Sequence, residues 1–168
     1  FSAFEPLDGC GGDWWTAVPL PDGDSLVFVG DVTGHGSPAA IVTGMLKGAF
    51  EVARVGMGRS LKPQQLLTML NRVLGLAMMG RYLSTAIAFR HRAKDGVLTF
   101  ANAGHPPFWV ARPGDVQVIR GDGAPALGLD LNQKYAAWEQ ALPKFAWKVC
   151  EPGSVRSSAG VEFLAQTD

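Results

Sequence analysis

Apolar residues change their spacing three times along this chain, and each change marks a different kind of element. Leu26, Val27, Phe28 and Val29 form an unbroken apolar run, the signature of a strand buried on both faces. The run ends in Gly30-Asp31 and a glycine-rich turn carrying His35, and Ser37-Pro38 then reads as a helix start, with a hydroxyl N-cap and proline at the first helical position. Val42, Met45, Leu46, Ala49 and Ala53 recur at three- and four-residue steps and predict a helix over 37–55. The GMGR sequence at 56–59 breaks it. A second helix is predicted over 63–79, with Leu66, Leu70, Val73, Leu74 and Ala77 on one stripe.

After Gly80 the period falls to two. Residues 83–91 and 97–104 alternate and are joined by Lys94-Asp95-Gly96, a hairpin turn. A further hairpin is predicted from 108–112 to 116–120, and strands from 135–142, 145–150 and 161–168. The glycine- and proline-rich loop at 121–130 is long enough to serve a function. Ahead of the apolar run, Asp13 follows two glycines and opens a segment of strand formers, which Asp22-Gly23 turns back towards Leu26. The order is hairpin, two helices, then a β-meander. That predicts an α+β sandwich, not a doubly wound parallel sheet.

Composition narrows the function classes. The 168 residues amount to one domain, read over 1–168, and 47 % apolar content is ordinary for a globular core. Fifteen basic and fifteen acidic residues cancel, leaving no electrostatic case for nucleic acid or an anionic membrane. Cys10 and Cys150 lie far apart and outside any CxxC pattern, which fits free thiols in the cytoplasm, with one disulfide as the alternative. No apolar run approaches the roughly 18 residues that would span a bilayer. With no initiator methionine and no signal sequence, the chain reads as a domain cut from something longer.

Few of the acids sit at glycine-rich ends of apolar strands, but Asp13 and Asp31 do, and Asp168 ends the last apolar segment. The predicted hairpin would bring Asp13 next to Asp31. For Asp13 alone, the plainer alternative is a turn residue bonded to its own backbone. Carboxylates converging without a matching set of histidines or cysteines favour a hard cation, Mg²⁺ or Mn²⁺, over zinc. There is no GxxxxGK[ST] loop, no G-x-S-x-G elbow, and GDVTGHG lacks the dinucleotide-binding spacing.

The segments CGGDWWTAVPLPDGDSLVFVGDVTGHGSPAAIVTG, ANAGHPPFWVAR, APALGL and VEFLAQTD, in that order, resemble the SpoIIE-like bacterial branch of the metal-dependent protein phosphatases, the PPM family. The resemblance implies an α-β-β-α sandwich of antiparallel sheets with two Mn²⁺ or Mg²⁺ ions between them, and hydrolysis of phosphoserine or phosphothreonine by an activated water. By position, Asp13 matches the acid of the GGD motif and Asp31 the acid that bridges the metals. The main-chain carbonyl of Val32 matches a backbone ligand, and Asp168 the acid of a threonine-aspartate-glycine motif. The family continues past that point with a helical segment, a last strand and another metal-binding acid, so the domain is read as truncated at its C-terminus.

His35 lies in the loop that holds a histidine general acid in eukaryotic relatives, although its spacing differs; the alternative is a solvent-exposed loop role. His105 is expected to shape a turn near the site, and His91 to be structural or at the surface. The resemblance implies a phosphorylated anti-anti-sigma (STAS) protein as substrate, with a homodimer allowed for, and makes the two helices candidates for a regulatory element. The competing reading is a catalytically incomplete module that acts as a binding or regulatory output domain.

Overall fold

In a computed structural model, residues 11–112, 115–121, 123–142, 148–150 and 163–164 are described. Strand β1 (Asp13–Pro19) turns back into β2 (Ser25–Val32), which leads to helix α1 (Gly36–Met57). A single 3₁₀ turn, Gly58–Ser60, connects to α2 (Pro63–Met78). Then follow β3 (Ser84–His91), β4 (Val97–Ala103), β5 (Phe108–Arg112), β6 (Asp115–Ile119), β7 (Trp138–Ala141), β8 (Lys148–Cys150) and β9 (Phe163–Leu164). One sheet has the order β1-β2-β3-β4-β7 and is antiparallel throughout; the other has the order β6-β5-β8-β9, with β8 and β9 parallel.

The apolar run is buried on both faces, as expected, and each face has its own core. Leu26, Phe28 and Val32 join the cluster built with Val42, Leu46 and Phe50 of α1 and Leu66, Leu70 and Leu74 of α2. Val27 and Val29 point the other way, into a cluster with Ile87, Phe89, Leu98 and Phe100 and with Phe108 and Val110 of the second sheet. Phe108 packs edge-on against Phe89 and Phe100, with centroids 4.5 and 5.1 Å apart. Since alternate residues of a strand face opposite sides, the layers of the described residues run helices, five-stranded sheet, second sheet.

Helix α1 starts slightly earlier than its sequence suggests. His35, not Ser37, is the N-cap and makes no side-chain cap bond, and Gly36 has a φ of 69°. Pro38 therefore falls within the first turn, where backbone N–H groups have no intrahelical acceptor and its missing donor does no harm. The loop at 123–135 is a brace. Leu127 exchanges two backbone hydrogen bonds with Ser84 (2.8 and 3.1 Å), and the buried Asn71 amide of α2 binds both Gly128 N–H and the Asp130 carbonyl, each at 2.7 Å.

At the other end of the sheet, Arg90 binds Asp24 (2.8 Å) and Asp22 (2.5 Å). It also donates to the carbonyls of Arg59 and Leu61, pinning the connection between the helices. Among the described residues, no helix is long and apolar enough to cross a membrane.

Phe28 is fully buried, stacked on Trp14 at 4.4 Å and edge-on to Phe50 at 6.0 Å. Phe28→Ala should lower the unfolding free energy by about 3–5 kcal/mol. Urea denaturation monitored by tryptophan fluorescence measures this, and a loss below 1 kcal/mol would contradict the packing described.

Candidate metal centre

The site is a consequence of register. Asp13 of β1 is the direct cross-strand partner of Asp31 of β2, and Thr85 of β3 is the partner of Asp31 on its other side. Directly opposed residues share a face, with Cβ atoms about 4.5–5.5 Å apart. Asp31 has the same parity as Val27 and Val29, so Asp13, Asp31 and Thr85 line the face turned towards the second sheet, at the end of the strands.

The GGD motif explains the close approach. Val32 N–H donates to the Gly12 carbonyl at 3.1 Å. A Cβ on Gly12 would overlap the Val32 carbonyl oxygen, so no larger residue fits there without displacing that backbone. Helix α1 is tied to the same motif by the buried Thr43, whose hydroxyl lies 3.0 Å from the Gly12 carbonyl and 3.0 Å from that of Ala39.

Burial, the neighbouring Asp13 charge and the hydrogen bond that protonated Asp31 donates to Asp13 together push the Asp31 carboxyl up to about 6, while His105 acts in the opposite direction. Neighbouring, half-buried carboxylates repel one another, and a proton or a cation between them removes the repulsion. The donors are hard oxygens presented from adjacent strands, which fits a divalent Mg²⁺ or Mn²⁺ ion. Among the described residues, no group of three or more His, Cys, Asp and Glu is arranged to hold a metal.

The other sequence-derived candidates fall in different places. Val32 follows Asp31 directly and is buried. His35 is exposed at the N-cap of α1. Asp168 lies outside the described residues. His91 is half-buried and pairs with Ser25, at the opposite end of β3 from Thr85.

Sequence reasoning did not single out Thr43, Thr85 or Asn102. The available signal was parity: Asn102 has the inward phase of Leu98 and Phe100, which is unusual for an amide unless it is bonded.

A helix pair over a five-stranded antiparallel sheet stacked on a second sheet, with an acidic pair at the open end between them, is the PP2C-type phosphatase fold. The chain belongs to the SpoIIE family: residues 21–145 match the family described as Stage II sporulation protein E (SpoIIE). This is the SpoIIE-like branch of the PPM family.

No curated protein is detectably similar to the chain, but solved structures are. The SiaA-PP2C domain of Pseudomonas aeruginosa superposes with a TM-score of 0.70 at 25 % identity, over 82 % of this chain and 54 % of that one. The RsbU and RsbW domains of a Mycobacterium tuberculosis protein give 0.69 at 24 %, over 84 % and 38 %. RsbX in complex with magnesium gives 0.61 at 18 %, over 82 % and 64 %. The chain thus spans about half the length of the SiaA structure and less of the mycobacterial one.

The raised carboxyl has a thermodynamic consequence. Asp31 holds its proton more tightly folded (about 6) than in its ordinary state (3.8). Its contribution to stability is therefore complete below about pH 3.8 and lost as the pH rises through about 6. In chelator, the melting temperature of the wild type relative to Asp31→Asn should fall between pH 4 and 7.5. Parallel profiles for the two proteins would contradict the assignment.

Proposed function

We propose that the chain is a single metal-dependent phosphatase domain that removes phosphate from phosphoserine or phosphothreonine on a protein. The observation that carries this reading is the side-by-side placement of Asp13 and Asp31 at the inter-sheet end of a PP2C-type fold. Asp13, Asp31 and the Val32 carbonyl are the ligands this reading assigns, with Asp168 as a further one. Two divalent cations, when bound, supply a water made nucleophilic near neutral pH and offset charge on the phosphoryl oxygens.

The residues of the chain do the rest. The acid pair fixes where the cations sit, and without them its own negative charge opposes a phosphate dianion. The Gly12–Val32 hydrogen bond keeps β1 and β2 in register beneath the pair. His35, at the start of α1, is the group this reading assigns to give a proton to the departing serine or threonine oxygen.

The substrate we propose is a phosphorylated STAS-type anti-anti-sigma protein within a partner-switching pathway, with a homodimer as a further assembly. Fold likeness to the RsbU and RsbW domains agrees with a protein partner in general. Two cysteines without CxxC spacing support a cytoplasmic setting. A second reading is a binding or regulatory output domain with an incomplete metal site. Among the described residues two acids meet, and Asp168, the further ligand assigned above, lies outside them, so counting bound ions separates the two readings.

Asp31→Asn should abolish Mn²⁺-dependent phosphate release from a phosphoserine protein while its far-UV circular dichroism stays that of the wild type. Full activity of that variant, or of the wild type in excess chelator, would sink the proposal. Calorimetry gives a second check: Mn²⁺ affinity should weaken as the pH drops below about 6, where the proton competes for Asp31. A stoichiometry below two ions would favour the output-domain reading.

A further inference from the structure

The row of inward-facing groups continues past Asp31. The Thr85 hydroxyl, beside Asp31 in the ladder, lies 3.0 Å from Nδ1 of His105. His105 is only 6 % exposed, and its main chain is gripped on both sides by one amide. Its N–H donates to Asn102 Oδ1 at 2.8 Å, and its carbonyl accepts from Asn102 Nδ2 at 2.9 Å. Asn102 is itself buried and backed by Gly121, where a Cβ would come within 2.7 Å of it. Gly104, at φ 69°, packs its backbone against Ala126 of the brace loop, next to the Leu127–Ser84 pairing.

The Asn102 bonds already satisfy the turn, because they engage only the main chain of His105. They do not require the imidazole to sit against Thr85. The ring meets the Thr85 hydroxyl, and the cross-strand partner of Thr85 is Asp31.

We propose that His105, acting through Thr85, is a positioning residue for Asp31 that holds the acid pair in the arrangement that takes a divalent cation. This rests on the metal-site reading above. In the ladder Asp31 has Asp13 as its partner on one side and Thr85, bonded to His105, on the other, and Asn102, Gly104 and the brace loop fix the His105 turn. Groups that orient a metal-binding carboxylate without touching the metal set its affinity, and their loss typically weakens binding roughly 10- to 100-fold.

The test is Mn²⁺ titration calorimetry on the full chain and on Asp31→Asn, Thr85→Val, Thr85→Ser and His105→Gln, with circular dichroism and melting curves to establish folding. Thr85→Val and His105→Gln should each bind Mn²⁺ roughly 10- to 100-fold more weakly, and Thr85→Ser, which keeps the hydroxyl, should stay near the wild type. In metal-free protein, the ¹⁵N shifts of the His105 ring should change in Thr85→Val and not in Thr85→Ser.

Wild-type affinity in both Thr85→Val and His105→Gln, with binding lost in Asp31→Asn, would overturn this inference and leave the acid-pair reading standing. Equal losses in Thr85→Val and Thr85→Ser would overturn it as well. If the wild type takes up no Mn²⁺, or Asp31→Asn binds like the wild type, the metal-site reading fails and this inference falls with it. Should His105→Gln not fold, the two Thr85 variants decide.

Discussion

Two acids held against each other at the end of neighbouring strands are an electrostatic cost that the rest of this fold is arranged to bear. Each would keep its charge cheaply in water, but burial beside a second carboxyl raises Asp31 well above its ordinary range. Such a pair persists only where the backbone leaves it no alternative. The β1–β2 ladder supplies that constraint, since Asp13 and Asp31 are direct partners in a register fixed by the turn at Leu20–Asp24 and by the two cores above and below. A one-residue slip would turn Asp31 towards the helices and Val32 and Phe28 towards the second sheet, burying charge in the larger core.

The glycines before Asp13 belong to the same constraint. Gly12 lets the chain pass so near Val32 that the two backbones bond directly, and Thr43 links α1 to that point. The first helix is thus coupled to the acidic end of the sheet through one hydroxyl and one carbonyl. On the other flank, the brace loop joins α2, the start of β3 and the His105 turn. The acid pair stands between these two sets of ties.

Much of this could be read from residue order. The unbroken apolar run identified the doubly buried strand, the DG turns placed the hairpins, and the first hairpin alone brought Asp13 to Asp31. These features are local, or span a single turn. The start of α1 falls one residue ahead of the expected Ser37, at Gly36, whose left-handed φ no apolar periodicity signals. The roles of Thr85, Asn102 and the 123–135 loop depend on contacts between elements distant in sequence, and no periodicity encodes which turn will meet which strand. Asn71 is the plainest case: on a helical wheel it is one polar residue among apolar neighbours, and only the folded chain supplies the two backbone groups that its amide joins.

The helical pair is fastened at both of its ends. About two turns into α1, Thr43 secures it, and past the helix end at Met57, 14 residues further on, the elbow is gripped by Arg90 and its two aspartates. At about 1.5 Å per residue the stretch between the two fastenings is a strut roughly 21 Å long. A rod clamped at one end can swing, but one clamped at both can shift only if the two fastenings loosen in concert. The ion cluster at the remote corner therefore shares in setting how stiff the acidic end can be, although it lies the full length of the sheet away.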